Sequence, residues 1–158
     1  FRKLCVGRRL FKGRNLYASG ACLMAREMAE EKRLGDYLLL DEQMVTSQVA
    51  VNLYAEAKQQ KVVLVEAGVP WYLVDEELEL IPSGETELAL QTKNVLTQKE
   101  KQFMIELDPL TGRLDRRCRL MLRIRFESPS QCIVTIKDEG FGELFPTSNR
   151  IWEKQVEL

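Results

Sequence analysis

The chain has 158 residues, 45% of them hydrophobic and 30% charged, with a formal net charge of −1 and no histidine. That length suits one domain plus an appendage and buries most of the surface an unfolded chain exposes, while the balance of apolar and charged residues argues against disorder. The missing histidine excludes Ser-His-Asp and Cys-His catalysis, HExxH metal sites and mixed Cys/His zinc sites, and no apolar run approaches the ~20 residues of a membrane span.

The opening segment is basic. Residues 1–33 hold nine Lys and Arg against three Glu, and the rest of the chain is correspondingly acidic. Arg2, Lys3, Arg8, Arg9, Lys12 and Arg14, with Phe11 among them, keep nucleic-acid contact open as a lesser alternative. A surface that packs on another part of a longer protein explains the same charge. The chain opens at Phe1 without a methionine, which reads as a piece of such a protein.

From Tyr17 to Lys32 the pattern is helical. Ala21, Met24, Ala25 and Met28 recur at i, i+3, i+4 and i+7, with Asn15 as N-cap and Gly35 as C-cap. After Gly35 the period changes to two. Strands are expected at Tyr37–Leu40, Gln48–Ala55, Lys61–Glu66, Tyr72–Ile81, Glu85–Thr92, Gln102–Leu107, Arg117–Glu127, Gln131–Lys137 and Ile151–Leu158. Turn residues separate most of them: Gly68-Val69-Pro70, Pro82-Ser83-Gly84, Asp108 to Gly112, Ser128-Pro129-Ser130 and Gly140-Phe141-Gly142. Many short strands at this spacing predict a mainly β fold, an antiparallel β-sandwich preceded by one helix. The domains expected are a basic segment with a helix at 1–35 and a β-sandwich at 36–158.

The clearest alternation sets Cys118, Leu120, Leu122, Ile124 and Phe126 against Arg117, Arg119, Met121, Arg123 and Arg125. The first set predicts a buried face and the second an outward arginine stripe. Asp75, Glu76, Glu77, Glu79, Glu85 and Glu87 supply an acidic counterpart for cross-strand pairing. An anionic-ligand site is the other use of such a stripe. Cys5, Cys22, Cys118 and Cys132 form no CxxC and no secreted disulfide framework, which suits a reduced, cytoplasmic protein. No phosphate-binding GxxxxGK[ST] loop is present, and no carboxylate pair or lysine stands out as a catalytic group.

Asp36-Tyr37-Leu38-Leu39-Leu40-Asp41 is similar to the apolar, aspartate-ended linker between the ATPase and substrate-binding domains of Hsp70 chaperones. Asn15-Leu16-Tyr17-Ala18-Ser19-Gly20-Ala21-Cys22 resembles the tail of an actin/Hsp70-type ATPase domain, where a Gly-Ala pair starts the last helix. Further on, Val69-Pro70, Thr86 to Gln91 and Gln102-Phe103 fall in the order of that family's strand landmarks. Arg119 to Glu143 is similar to its two strands around a short turn, followed by Lys137-Asp138-Glu139-Gly140.

The resemblance covers about residues 15–143. It implies a divergent Hsp70-type substrate-binding β-domain, a non-catalytic module that binds extended apolar peptides or a protein client next to an ATPase domain. It implies Val49, Leu88 and Leu90 as peptide-pocket residues, and Leu38, Leu39, Leu40 and Asp41 as the coupling linker. Asn52 stands where the family has another apolar residue, the Thr-Pro start after the linker is missing, and the terminal strand with Trp152 comes where the family has a helical lid. The phosphate loops of the ATPase would precede Phe1, so no nucleotide, metal or other cofactor is implied for this segment. A structural or regulatory appendage without peptide binding is the alternative.

Overall fold

The computed structural model describes residues 13, 15–29, 40–55, 58–83, 86–107 and 118–158. The chain divides into two compact units, Phe1–Leu38 and Leu39–Leu158. In the first, α1 runs over Leu16–Ala29, where alanines favour the helix and Arg26 in the last turn suits its negative end. Asn15 starts it with its carbonyl, which accepts the Ser19 N–H at 2.9 Å. Its φ of +58° is left-handed, a region Asn tolerates, and not the extended geometry of a usual N-cap. Ala21, Met24 and Ala25 are all exposed. The predicted last turn at residues 30–32 and the Gly35 cap lie outside the described residues, as do Arg2, Lys3, Arg8, Arg9, Lys12 and Arg14.

The second unit is mainly β, with strands β1 (Ser47–Ala55), β2 (Lys58–Val65), β3 (Asp75–Leu80), β4 (Glu87–Asn94), β5 (Glu100–Glu106), β6 (Arg119–Ser128), β7 (Gln131–Gly140) and β8 (Ile151–Glu157). They form two four-stranded antiparallel sheets, ordered β2-β1-β4-β5 and β3-β6-β7-β8. Among the described residues this is the expected sandwich, with one α-helix before it in the chain.

The core follows from the period of two. Val49, Val51, Leu90, Ile105 and Val65 of the first sheet join Leu120, Leu122, Ile124, Phe126, Val134, Ile136 and Val156 of the second in one buried cluster. Each such side chain contributes about 1.5–3 kcal/mol on burial. Cys118, Leu120, Leu122, Ile124 and Phe126 are buried as their alternation predicts, with Arg119 and Arg123 half-exposed and Arg125 exposed. Cys118 and Cys132 are buried without a disulfide. The β6–β7 hairpin turns through Pro129-Ser130, with Ser128 paired to Gln131.

Several strand boundaries differ from those expected, β7 for example running on to Gly140, and two of the shifts have a plain physical reason. The strand expected from Tyr72 starts at Asp75, because Trp71–Leu73 form a 3₁₀ turn. Pro70 sets that turn at φ −58°, and its carbonyl accepts the Leu73 N–H at 3.0 Å. β2 starts at Lys58, four residues before its apolar run at Val62, because its ladder with β1 continues to Ala55↔Lys58 through exposed side chains. Of the expected strand at Tyr37–Leu40 only Leu40 is described, and it lies in no strand.

Candidate functional site

Of the four linker residues, Leu38 and Leu39 lie outside the described residues. Leu40 is half-buried and Asp41 exposed. Asp41 begins a turn into the sandwich: its Oδ1 accepts the Gln43 N–H at 2.8 Å and its carbonyl the Met44 N–H at 3.2 Å. The chain that follows is bonded to the Gly68–Trp71 loop. Val45 donates to the Val69 carbonyl (2.9 Å), Gly68 to the Val45 carbonyl (2.8 Å) and Trp71 to the Gln43 carbonyl (3.0 Å). The Val69-Pro70 step therefore serves as the dock on which the segment after Asp41 is pinned.

Val49, Leu88 and Leu90 share the inner face of the first sheet, because Leu90 pairs with Val51, two residues from Val49, and Leu88 lies two residues from Leu90. The structure brings them together, but in the core. Val49 and Leu90 are each 1% exposed. A peptide side chain reaches them only if the two sheets part. Leu88 differs: it packs against the core beside other half-buried apolar residues, Leu53 and Phe103 among them, and keeps accessible surface. Asn52 is on the opposite face, exposed and paired with Lys61, so its amide does not enter the apolar interior.

Part of the outer face of the first sheet is polar. Lys61, Gln91, Lys93, Glu100 and Gln102 line a cavity of about 250 Å³ there, and Lys93 pairs with Glu100 at 3.4 Å.

The outer face of the second sheet carries the arginine stripe. Arg123 grips Asp75 with two bonds, Nε to Oδ1 at 2.6 Å and Nη2 to Oδ2 at 2.5 Å, and reaches Glu77 at 3.5 Å. Arg119 meets Glu79 at 3.6 Å. The two-pronged hydrogen bond from Arg123 holds the Asp75 carboxyl below its ordinary pKa of 3.8 and raises that of the guanidinium. The acidic strand β3 thus pairs Arg119 and Arg123 of the stripe in place. Glu87 instead belongs to β4 in the other sheet, and Glu85 lies outside the described residues.

Sequence reasoning missed Asp138. It is fully buried on β7, in the core-facing series that begins Cys132, Val134, Ile136. Oδ1 accepts the Gly140 N–H and Oδ2 the Ser148 N–H, both at 2.9 Å, while its carbonyl accepts the Thr147 hydroxyl. The signal was available: a carboxylate in an apolar slot of an alternating strand must be hydrogen-bonded there. Among the described residues no group of three or more Cys, Asp or Glu could hold a metal ion, and no helix is long and apolar enough to cross a membrane.

Residues 44–158 match the family described as Domain of unknown function (DUF8552), and residues 1–42 match Family of unknown function (DUF5716) C-terminal. The first match spans the whole sandwich. The chain belongs to the DUF8552 family. No curated protein and no solved structure matches it.

Proposed function

We propose that this chain is a non-catalytic interaction module joined to an Hsp70/actin-like ATPase, and that it binds extended segments of other proteins. The order of motifs from Asn15 to Glu143 supports the kinship. The observation that carries the binding reading is Leu88, an apolar side chain at a pocket position that keeps solvent-accessible surface beside a closed core. Strand hydrogen bonds plus one apolar contact are the means by which sheet proteins hold extended peptides. Binding is weak and quickly reversible, because Val49 and Leu90 are covered and add little contact.

Their burial also favours a second reading, a structural or regulatory appendage without peptide binding. Fluorescence anisotropy with a labelled apolar heptapeptide, on the chain and on Leu88→Asp, separates the two. Binding in the high-micromolar range that is lost in the variant supports the module. No binding to either protein leaves the appendage standing.

A further inference from the structure

Among the described residues the two four-stranded sheets have four edge strands, β2 and β5 in one and β3 and β8 in the other. Exposed edges invite pairing with another chain, and proteins guard them with charge, bulges or cover. Three of the four are guarded by carboxylates or by a cross-sheet contact. β3 places four acids in six residues, Asp75, Glu76, Glu77 and Glu79. β5 and β8 each carry two glutamates and one lysine. The lysine of β8, Lys154, already donates to the Met104 carbonyl of β5 at 2.6 Å.

β2 is different. Its ladder with β1 uses one side, and among the described residues no backbone group of β2 bonds to anything on the other. Its sequence, Lys-Gln-Gln-Lys-Val-Val-Leu-Val, contains no proline, glycine or acid, and Lys58 to Lys61 and Val63 are exposed. Its regular stretch is Lys58–Val63, since the register slips between Val49 and Ala50 and leaves Leu64 without an opposite residue. Lys58 and Lys61 pair with no carboxylate among the described residues, while Glu66, just beyond the strand, is engaged by Gln48 at 2.8 Å.

We propose that the β2 edge accepts a fifth strand from a partner, an extended segment with two carboxylates three residues apart and apolar residues between polar ones. The spacing follows from Lys58 and Lys61, which a three-residue separation sends to opposite faces of the sheet. Carboxylates facing them form cross-strand ion pairs. A second copy of this chain is a poor occupant, because edge-to-edge pairing brings both sets of lysines onto one short ladder. The proposal rests on the interaction-module reading and gives it a place and a partner chemistry.

The test uses labelled octapeptides that alternate valine and threonine, one with two glutamates three residues apart and one with lysines in their place. The glutamate peptide should bind the chain about tenfold more tightly at low salt. It should slow amide hydrogen exchange within Lys58–Val63, and the Lys58→Glu/Lys61→Glu double variant should reverse the preference. Equal binding of the two peptides, or protection of β5 or β8 in place of β2, overturns the edge assignment. If apolar peptides still bind in a Leu88-dependent way, that failure leaves the module reading intact. Absence of binding by every peptide overturns both.

Discussion

The carboxylate of Asp138 joins two points of the chain, Gly140 on its own strand and Ser148 across the returning loop, each amide at 2.9 Å. Gly140 has φ +69°, and a Cβ there would lie 2.5 Å from the Thr147 nitrogen and 2.6 Å from the Phe145 carbonyl oxygen. A buried acid and an obligatory glycine two residues apart thus fold the 141–150 loop back onto the end of the core.

Asp138→Ala should cost about 3 kcal/mol in urea unfolding, because two buried bonds to a charged acceptor are lost. Gly140→Ala should cost about 2 kcal/mol or more, since both its backbone conformation and its space are denied to a side chain. Leu144→Ala, in the same loop but exposed, should change nothing measurable. Equal midpoints for all three variants would show that the loop is not anchored as described.

In the second sheet, Leu122→Ala or Ile124→Ala should destabilise by about 2–5 kcal/mol, as buried aliphatics do. Arg123→Ala removes a surface ion pair and should be the milder change. The bond from Arg123 depresses the Asp75 pKa, so its contribution holds above the ordinary 3.8 and is lost as pH falls through the lowered value. Thermal melts from pH 7 to pH 2, with Asp75→Asn as control, read this: only the parent protein should show that loss.

The cysteines give a chemical readout. Burial pushes the Cys132 thiol from 9.0 up to about 11. The unfolded chain therefore ionises first, and folding stability should fall as pH rises from 9 towards 11, a loss that Cys132→Ala removes. Cys22 is exposed on α1, while Cys118 and Cys132 are buried. Iodoacetamide at neutral pH should alkylate Cys22 and spare Cys118 and Cys132 until the protein unfolds. Rapid labelling of Cys132 in the native state would contradict its placement.

At the candidate pocket, Val49→Asp should unfold the domain, because it puts a charge at a position 1% exposed. Leu88→Asp, at the half-buried margin of that core, should keep the circular dichroism spectrum of the folded sandwich and lower the urea midpoint far less than Val49→Asp. The reverse result would mean that Leu88, not Val49, lies in the closed core.

Much of this architecture is legible from side-chain period alone. Residues 118–126 announce their buried and exposed faces, and the excess of acid at 75–79 announces the arginine stripe's counterpart. Period does not reveal which arginine meets which acid, since that depends on the β3–β6 register, Asp75↔Arg125 through Leu80↔Leu120. It does not reveal Lys58–Gln60 as strand, because pairing there is backbone alone. A pocket wall and a sandwich core also look alike in sequence. Val49, Leu88 and Leu90 are inward and apolar in either case, and only packing tells that two of them are sealed. Asp138 was overlooked because a carboxylate after Ile136 reads as the end of a strand, whereas β7 runs on to Gly140.

The most direct test of the interaction-module account is a titration of the isotope-labelled chain with an extended apolar peptide, followed by amide chemical shifts. The account predicts saturable shifts in the first sheet, around Leu88 and along β2, that disappear from the Leu88 region in Leu88→Asp. Shifts confined to the Arg119–Arg123 face of the second sheet, or none at high-micromolar peptide, would contradict it.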